Sequence, residues 1–296
     1  MAINTRNIFE LAARKAYLVD SDTSAIEMGD LLNILEKTGG GFVREYATEN
    51  DLPVANDVDE KIRVAYVTDN TRLYLRNSSG WSGTTIDGNF NQVSLLLKTN
   101  GSITDVSNDA NSLTLNGAVT QSSTQTKYAT QSIFFNNGPY ITTTLTNPPV
   151  KGQPWTIEGW VWKSSTTSTF DGFWQFGNYS AGLTLRLHNG ASPGYYLFGN
   201  GGAQIFSNTA INFNDSTWRH VALSHDGTTF RIFIDGILED DSTATGYTLG
   251  SDIIIGRYTT PTVYNFLGYV EDFRITTGLA RYTANFTPPA EAFDGF

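Results

Sequence analysis

Two Asp-Gly pairs inside residues 218–241, WRHVALSHDGTTFRIFIDGILEDD, constrain this chain more than any other feature. Before the first pair, Trp218, His220, Ala222 and Ser224 fall on one face of an extended chain, and Arg219, Val221, Leu223 and His225 on the other. Between the pairs, Phe230, Ile232 and Ile234 alternate with Arg231, Phe233 and Asp235. Alternation of this period belongs to a strand, because successive side chains point to opposite faces of a sheet. Gly227 and Gly236 reach positive φ without a Cβ clash, and Asp-Gly is a strong hairpin signal. The stretch is therefore predicted to be an antiparallel meander of three strands.

The same pattern extends over most of the chain. Residues 93–97 are a near-continuous apolar run, suited to a strand covered on both faces. Residues 155–162 alternate Trp155, Ile157, Gly159 and Val161 against Thr156, Glu158, Trp160 and Trp162. Further short runs at 112–115, 133–135, 140–145, 173–176, 183–187, 195–198, 203–206, 253–255 and 269–275 are separated by turn-forming residues. Many short strands at this spacing predict a mainly β protein built as an antiparallel sandwich or barrel.

The first part of the chain has a different character. Residues 1–91 hold 9 Lys and Arg against 14 Asp and Glu, and the longer remainder holds 10 against 15, so charge is denser at the start. Residues 1–41 are predicted to be helical. Asn4 or Thr5 can cap a first short helix over 6–17, which carries Ile8 and Leu11. Ser24 and Glu27 have capping-box spacing, and Met28, Leu31, Leu32 and Leu35 recur on one helical face. Helices this short are not stable alone, so these apolar residues are candidates for docking or oligomerisation contacts. In residues 42–91, RVAYVT at 63–68 and RLYLR at 72–76 flank a turn and predict a hairpin module. A lone hairpin is marginal in water and is expected to lean on a neighbour. The domain boundaries are thus placed at 1–41, 42–91 and 92–296.

Residues 218–241, together with 93–97, WTIEGWV at 155–161 and FLGYVEDFRIT at 266–276, resemble the laminin-G-like jelly rolls of the concanavalin A-like superfamily. The ending GLARYTANFTPP at 278–289 is most similar to the version carried by tailed-phage virion proteins, and AYVTDNTRLYLRNSSGW at 65–81 resembles a small module of phage structural proteins. The resemblance covers about 93–289. It implies a virion structural protein, assembled in the host cytoplasm, whose N-terminal part docks to other virion proteins while the jelly roll faces outward.

Composition bears on the same question. A net charge of −10 argues against nonspecific binding to nucleic acid phosphates. There are no cysteines, so no disulfide or thiolate metal site can form. The N-terminus MAINTRNIFELAARK lacks an apolar core, and no long apolar run occurs, so neither a secretory signal nor a membrane span is expected.

Catalysis has little support among the titratable residues. A glycosidase needs two carboxylates flanking one bond. Glu239, Asp240 and Asp241 are contiguous, as are Glu271 and Asp272, so neighbours should point to opposite faces, and Glu158 stands among Trp and Gly. His220 and His225 lie on opposite strand faces, which a shared metal would not tolerate, and with His188 they are read as satisfying local hydrogen bonds. The protein is therefore read as no enzyme and with no metal site. Asp105, Ser107, Asn108, Asp109 and Asn111 offer the hard oxygens that Ca²⁺ takes, but the EF-hand Gly and terminal Glu are missing, so a polar turn is the favoured reading.

Glycan binding draws on aromatic side chains with Asn and Asp nearby. DGFWQFGNYS at 171–180 and HNGASPGYYLFGNGG at 188–202 supply both, and Trp174, Tyr179, Tyr195 and Tyr196 are the candidate contacts. The expected function is a tail fibre or appendage that holds a host-surface glycan. A capsid decoration that stabilises the head is the first alternative, and a free carbohydrate-binding module or degenerate glycosidase the second. A homo-oligomer is expected from the resemblance, a trimer being common among phage fibres and decorations, although no sustained heptad repeat marks it.

Overall fold

The computed structural model describes residues 87–293 apart from 88, 100, 164–169, 189–193, 209 and 260–262, and before them the backbone of six strands. The chain divides into a first unit, Met1–Asn91 with Asp294–Phe296, and a second, Gln92–Phe293.

In the first unit, β1 (Tyr17–Val19) pairs antiparallel with β2 (Ala25–Glu27), Leu18 facing Ile26. This corrects the helical expectation at residues 25–27, where the Ser24–Glu27 capping box predicts helix and β2 lies, while the rest of the predicted helices, Tyr17 of β1 apart, falls outside the described residues. Val19 and Ile26 are β-branched and fit a pleated ladder better than a short, uncooperative helix. Ile8, Leu11, Met28, Leu31, Leu32 and Leu35 lie outside the described residues. A second small sheet joins β3 (Val43–Tyr46) parallel to β4 (Val64–Val67), which pairs antiparallel with β5 (Arg72–Asn77) and then β6 (Gly80–Thr85). The predicted hairpin is the β4–β5 pair, in which Val67 faces Arg72.

The second unit is a β-sandwich. Its strands are β7 (Val93–Lys98), β8 (Thr104–Asp105), β9 (Thr114–Asn116), β10 (Thr120–Ser122), β11 (Ser132–Asn136) and β12 (Tyr140–Thr144). They continue as β13 (Pro154–Trp162), β14 (Phe170–Gly177), β15 (Gly182–His188), β16 (Gly194–Phe198), β17 (Gln204–Asn208) and β18 (Trp218–Asp226). The last are β19 (Phe230–Ile234), β20 (Ile237–Ser242), β21 (Asp252–Ile255), β22 (Arg257–Thr259), β23 (Val263–Asn265) and β24 (Leu267–Thr277). One sheet has the order β10-β11-β24-β13-β18-β19-β20, with β7 also on β24 and β8 on β7, nine strands in all. The facing sheet has seven, in the order β17-β16-β15-β14-β21-β12-β9, and β22–β23 form a separate hairpin.

Period-2 alternation builds the core between the sheets. Trp155, Ile157 and Val161 of β13, Val221 and Leu223 of β18, and Phe230 and Ile232 of β19 meet Trp174, Phe176, Leu185, Leu197 and Ile253 from the other sheet. The two Asp-Gly turns form as predicted. Asp226 accepts the backbone N–H groups of Thr228 and Thr229. Asp235 and Gly236 both have positive φ, 52° and 79°, the pattern of the turn that matches strand twist.

β13 is buried along nearly its whole length because its outer face is covered too. The segment 278–293 crosses the outer side of the nine-stranded sheet, placing Tyr282 and Phe286 against Phe233 of β19. Its grip includes Gly236, whose carbonyl accepts the Phe286 N–H at 2.9 Å. A Cβ at Gly236 would lie 2.0 Å from the Phe286 carbonyl oxygen, so this position needs glycine for space as well as for φ. Gly236→Ala is therefore expected to cost at least about 1–3 kcal/mol. Gly250→Ala, which meets nothing within 4 Å, should be near neutral. Urea denaturation of the two variants checks this.

Candidate functional site

Glu158, Glu271 and Asp272, weighed above as catalytic carboxylates, are held by structural partners. Glu158 of β13 points to the outer side of the nine-stranded sheet, where β24 supplies Arg274 directly opposite. The Arg274 guanidinium donates to Glu158 Oε1 through Nε at 3.0 Å and Nη2 at 2.8 Å. The Tyr282 hydroxyl donates to Oε2 at 2.8 Å, and His220 Nε2 lies 3.2 Å from the same oxygen. Burial alone would push the Glu158 carboxyl up, but Arg274, His220 and Arg281 hold it well below the usual carboxylate range. Tyr282 stacks on Phe286 with centroids 3.6 Å apart, and Phe293 lies over Arg274, so aromatic rings roof the cluster. Glu158, alone in the sequence, is thus the centre of a sealed ion cluster.

Glu271 and Asp272 depart from the expected opposite orientation. The ladder between β13 and β24 shifts register between Glu158 and Trp160, and Asp272 adopts φ of 56° in this bulge. Glu271 accepts the backbone N–H groups of Lys127, Tyr128 and Ala129, while Asp272 accepts from Lys98 and from the Phe293 N–H. Both carboxylates therefore fasten covering segments to the sheet.

The loop considered for Ca²⁺ is also closed on itself. Asp105 accepts from the N–H groups of Leu96, Ser107 and Asn111, the Ser107 hydroxyl and the Asn111 amide. Those donors occupy both carboxylate oxygens of Asp105. Among the described residues, no group of three His, Asp or Glu is placed to hold a metal.

Strand alternation separates the four aromatic candidates. Trp174 and Tyr195 are 1% and 0% exposed and point into the inter-sheet core, so neither can stack on a sugar. Tyr179 is 38% exposed, and Tyr196, next to Tyr195 but on the opposite face of β16, is half-buried. Tyr196 lies beside Arg186 of β15, with which it pairs. The Arg186 guanidinium lies 3.7 Å from the Phe198 ring centroid and 4.7 Å from that of Tyr258. Tyr196 stacks with Phe198 at 11°, and Tyr258 with Tyr264 at 13°.

Arg186 is thus held between two stacked aromatic pairs, one on the sheet and one on the β22–β23 hairpin. The hairpin can approach because Gly172 of β14 has no side chain; a Cβ there would lie 2.1 Å from the Tyr258 nitrogen. Burial pushes the Arg186 guanidinium down, while the surrounding tyrosines Tyr258, Tyr264, Tyr179 and Tyr196 push it up. Tyr196, Phe198 and Tyr264 remain half-buried at the rim. Sequence reasoning does not single out Arg186, Phe198, Tyr258 or Tyr264. The alternation of Leu183, Leu185 and Leu187 against Thr184 and Arg186 could have placed Arg186 outward, but nothing local shows that a distant hairpin folds over it.

Residues 135–279 match the family model of the Concanavalin A-like lectin/glucanases superfamily. The sandwich is a concanavalin A-like jelly roll. Solved structures agree on the fold. The binding domain of botulinum neurotoxin serotype D aligns with a TM-score of 0.51 at 14% identity, over 64% of this chain and 49% of its own. The binding domain of botulinum neurotoxin DC, solved in complex with rat synaptotagmin II, aligns with a TM-score of 0.51 at 13% identity, over 70% and 50%. The chain spans about half the length of these structures, and identity this low speaks to fold alone. No curated protein sequence matches the chain.

A second aromatic surface lies on the other side of the jelly roll. Phe134, Tyr269, Trp162 and Trp218 are cross-strand neighbours on β11, β24, β13 and β18, all half-buried. Phe134 stacks on Tyr269 at 4.7 Å, and Trp162 meets Tyr269 edge-on. The neighbouring residues 164–169 lie outside the described set.

The ion cluster makes a direct prediction. Arg274→Met leaves Glu158 buried without its main partner and should destabilise the jelly roll by about 3–5 kcal/mol. Adding Glu158→Gln to it should restore part of that loss. Because the folded carboxyl is held below its ordinary value of 4.5, its contribution is complete above that pH and declines as pH falls below it. Urea denaturation at pH 7 and pH 3 should show a larger loss for the wild type than for Glu158→Gln.

Proposed function

We propose that the jelly roll is a non-catalytic binding domain that holds a saccharide on the tyrosine platform around Arg186. The observation that carries this reading is the two stacked aromatic pairs fixed around one guanidinium, with rims open on the outer face of the seven-stranded sheet. Aromatic rings offer apolar faces to sugar C–H groups, and phenol oxygens accept or donate hydrogen bonds at their edges. Arg186 keeps the rings in place, so little rotamer freedom is lost on binding. The carboxylates buried under the C-terminal segment support a binding role over hydrolysis, since each is committed to a structural partner.

The setting we propose is a tailed-phage virion, as a tail fibre or appendage whose N-terminal part docks to other virion proteins and whose jelly roll meets the host surface. It rests on the resemblance of residues 65–81 and 278–289 to phage structural proteins. A head decoration is the alternative setting. Gold-labelled antibody against residues 92–296 should mark tails or fibres of intact particles. Label over the head would favour the decoration, and no label on any particle would contradict the virion setting.

Binding itself is tested on an array of bacterial envelope saccharides. Tyr196→Ala and Tyr264→Ala should each weaken binding about tenfold, the equivalent of losing one aromatic contact of ~1.4 kcal/mol, with little change in Tm. Unchanged binding in both variants would contradict the platform reading.

A further inference from the structure

The outer face of the same seven-stranded sheet also carries a groove of about 710 Å³ over β9, β12 and β21, lined by Asp109, Thr114, Thr142, Thr144, Thr146 and Asp252 among others. Cross-strand register builds it. Thr142 faces Ile254 on one side and Thr114 on the other, and Thr144 faces Asp252. The alternating residues Ile141, Ile253 and Ile255 point the other way, into the core. Hydroxyls and two carboxylates therefore share one face, and among the described residues neither Lys, Arg nor an aromatic lines the groove.

Acceptors dominate this surface. Asp252 Oδ1 takes the Thr144 hydroxyl at 2.6 Å, and the Thr142 hydroxyl oxygen accepts from Asn116 Nδ2 at 3.2 Å. Asp109 Oδ1 takes the Asn147 amide at 2.6 Å, while its Oδ2 is buried at the groove wall without a hydrogen-bond partner among the described residues. A buried acceptor left unpaired is costly and calls for a donor. The ligand that fits brings O–H and N–H donors and no negative charge, since a phosphate or carboxylate would meet both aspartates.

The groove and the tyrosine platform lie on one sheet face. From β16 to β12 the order runs through four strand steps, about 19 Å at the usual strand spacing. The β22–β23 hairpin stands between them, with Thr259 exchanging hydrogen bonds with Gln175 of β14. A way round it exists at the end of β14. Gly177 lines the groove, and Tyr179, two residues on, is exposed.

We propose that this groove is a second saccharide subsite for a neutral, donor-bearing unit such as an N-acetylhexosamine, and that Tyr179 joins it to the platform. The ligand is then an oligosaccharide lying across the sheet rather than a single sugar. This rests on the platform reading. The carboxylates accept sugar hydroxyl and acetamido N–H hydrogen bonds in the groove, while a later unit of the same chain stacks at Tyr196 and Tyr264.

The test is calorimetric titration of the full chain with N-acetylglucosamine oligomers of increasing length. Affinity should rise with length. The double variant Thr142→Val with Asp252→Asn should bind the shortest oligomers like the wild type and the longest about tenfold more weakly. Both positions are partly or fully exposed, and an unchanged Tm confirms that the variant is folded. Loss of binding at every length in Tyr196→Ala, with the groove variant matching the wild type throughout, would overturn the groove and leave the platform standing. Binding of other saccharides through Tyr196, with no binding of these oligomers, would do the same. Binding that survives Tyr196→Ala and Tyr264→Ala but fails in the groove variant would support the groove as a saccharide site and contradict the platform.

Discussion

The buried carboxylate of Glu158 decides how this jelly roll is closed. A charge taken fully out of water is tolerated only with partners, and here they come from β24, β18 and the C-terminal segment at once. Arg274 sits opposite in the ladder, His220 on the neighbouring strand, and Tyr282 on the chain that crosses over them. Satisfying one carboxylate therefore fastens that chain across the outer face of the nine-stranded sheet. Glu271 and Asp272 repeat the device at the bulge, each gripping the backbone of a covering segment. The part of that face under the C-terminal segment is thereby sealed, while the outer face of the seven-stranded sheet carries the Arg186 platform and the groove.

That division sets two kinds of surface apart. Glu158, Glu271 and Asp272 on the sealed side are buried and committed to donors. The groups on the other side are half-exposed rings, hydroxyls and two carboxylates over a groove. Such a surface can recognise a polar ligand by shape and hydrogen bonding. The net charge of −10 is in keeping with a neutral or donor-rich ligand rather than a polyanion.

Local signals in the sequence were reliable where the structure depends on local geometry. Both Asp-Gly turns and the faces of β13, β18 and β19 follow from alternation and from glycine's access to positive φ. Alternation also held the answer to Tyr195 and Tyr196, since adjacent residues of a regular strand cannot both face a ligand, whereas at Trp174 a register shift in β14 sends it and Phe173 into the core together. What alternation could not show was long-range. Arg274 reaches Glu158 across 116 positions, and Tyr258 reaches Arg186 only because Gly172 admits a hairpin. The bulge at Asp272 breaks the period itself, which is why two adjacent acids serve the same side. At β2, the Ser24–Glu27 capping box signalled a helix, but β-branched Ile26 and pairing with β1 prevailed over it.

The central claim is that ligand recognition belongs to the outer face of the seven-stranded sheet. Hydrogen–deuterium exchange of the full chain, with and without a saccharide that binds it, tests this directly. Protection is expected at Tyr179, along β15 and β16 around Arg186 and Tyr196, and at β22–β23. Protection confined to the strands bearing Phe134, Tyr269, Trp162 and Trp218 would contradict it and move the site to the opposite sheet.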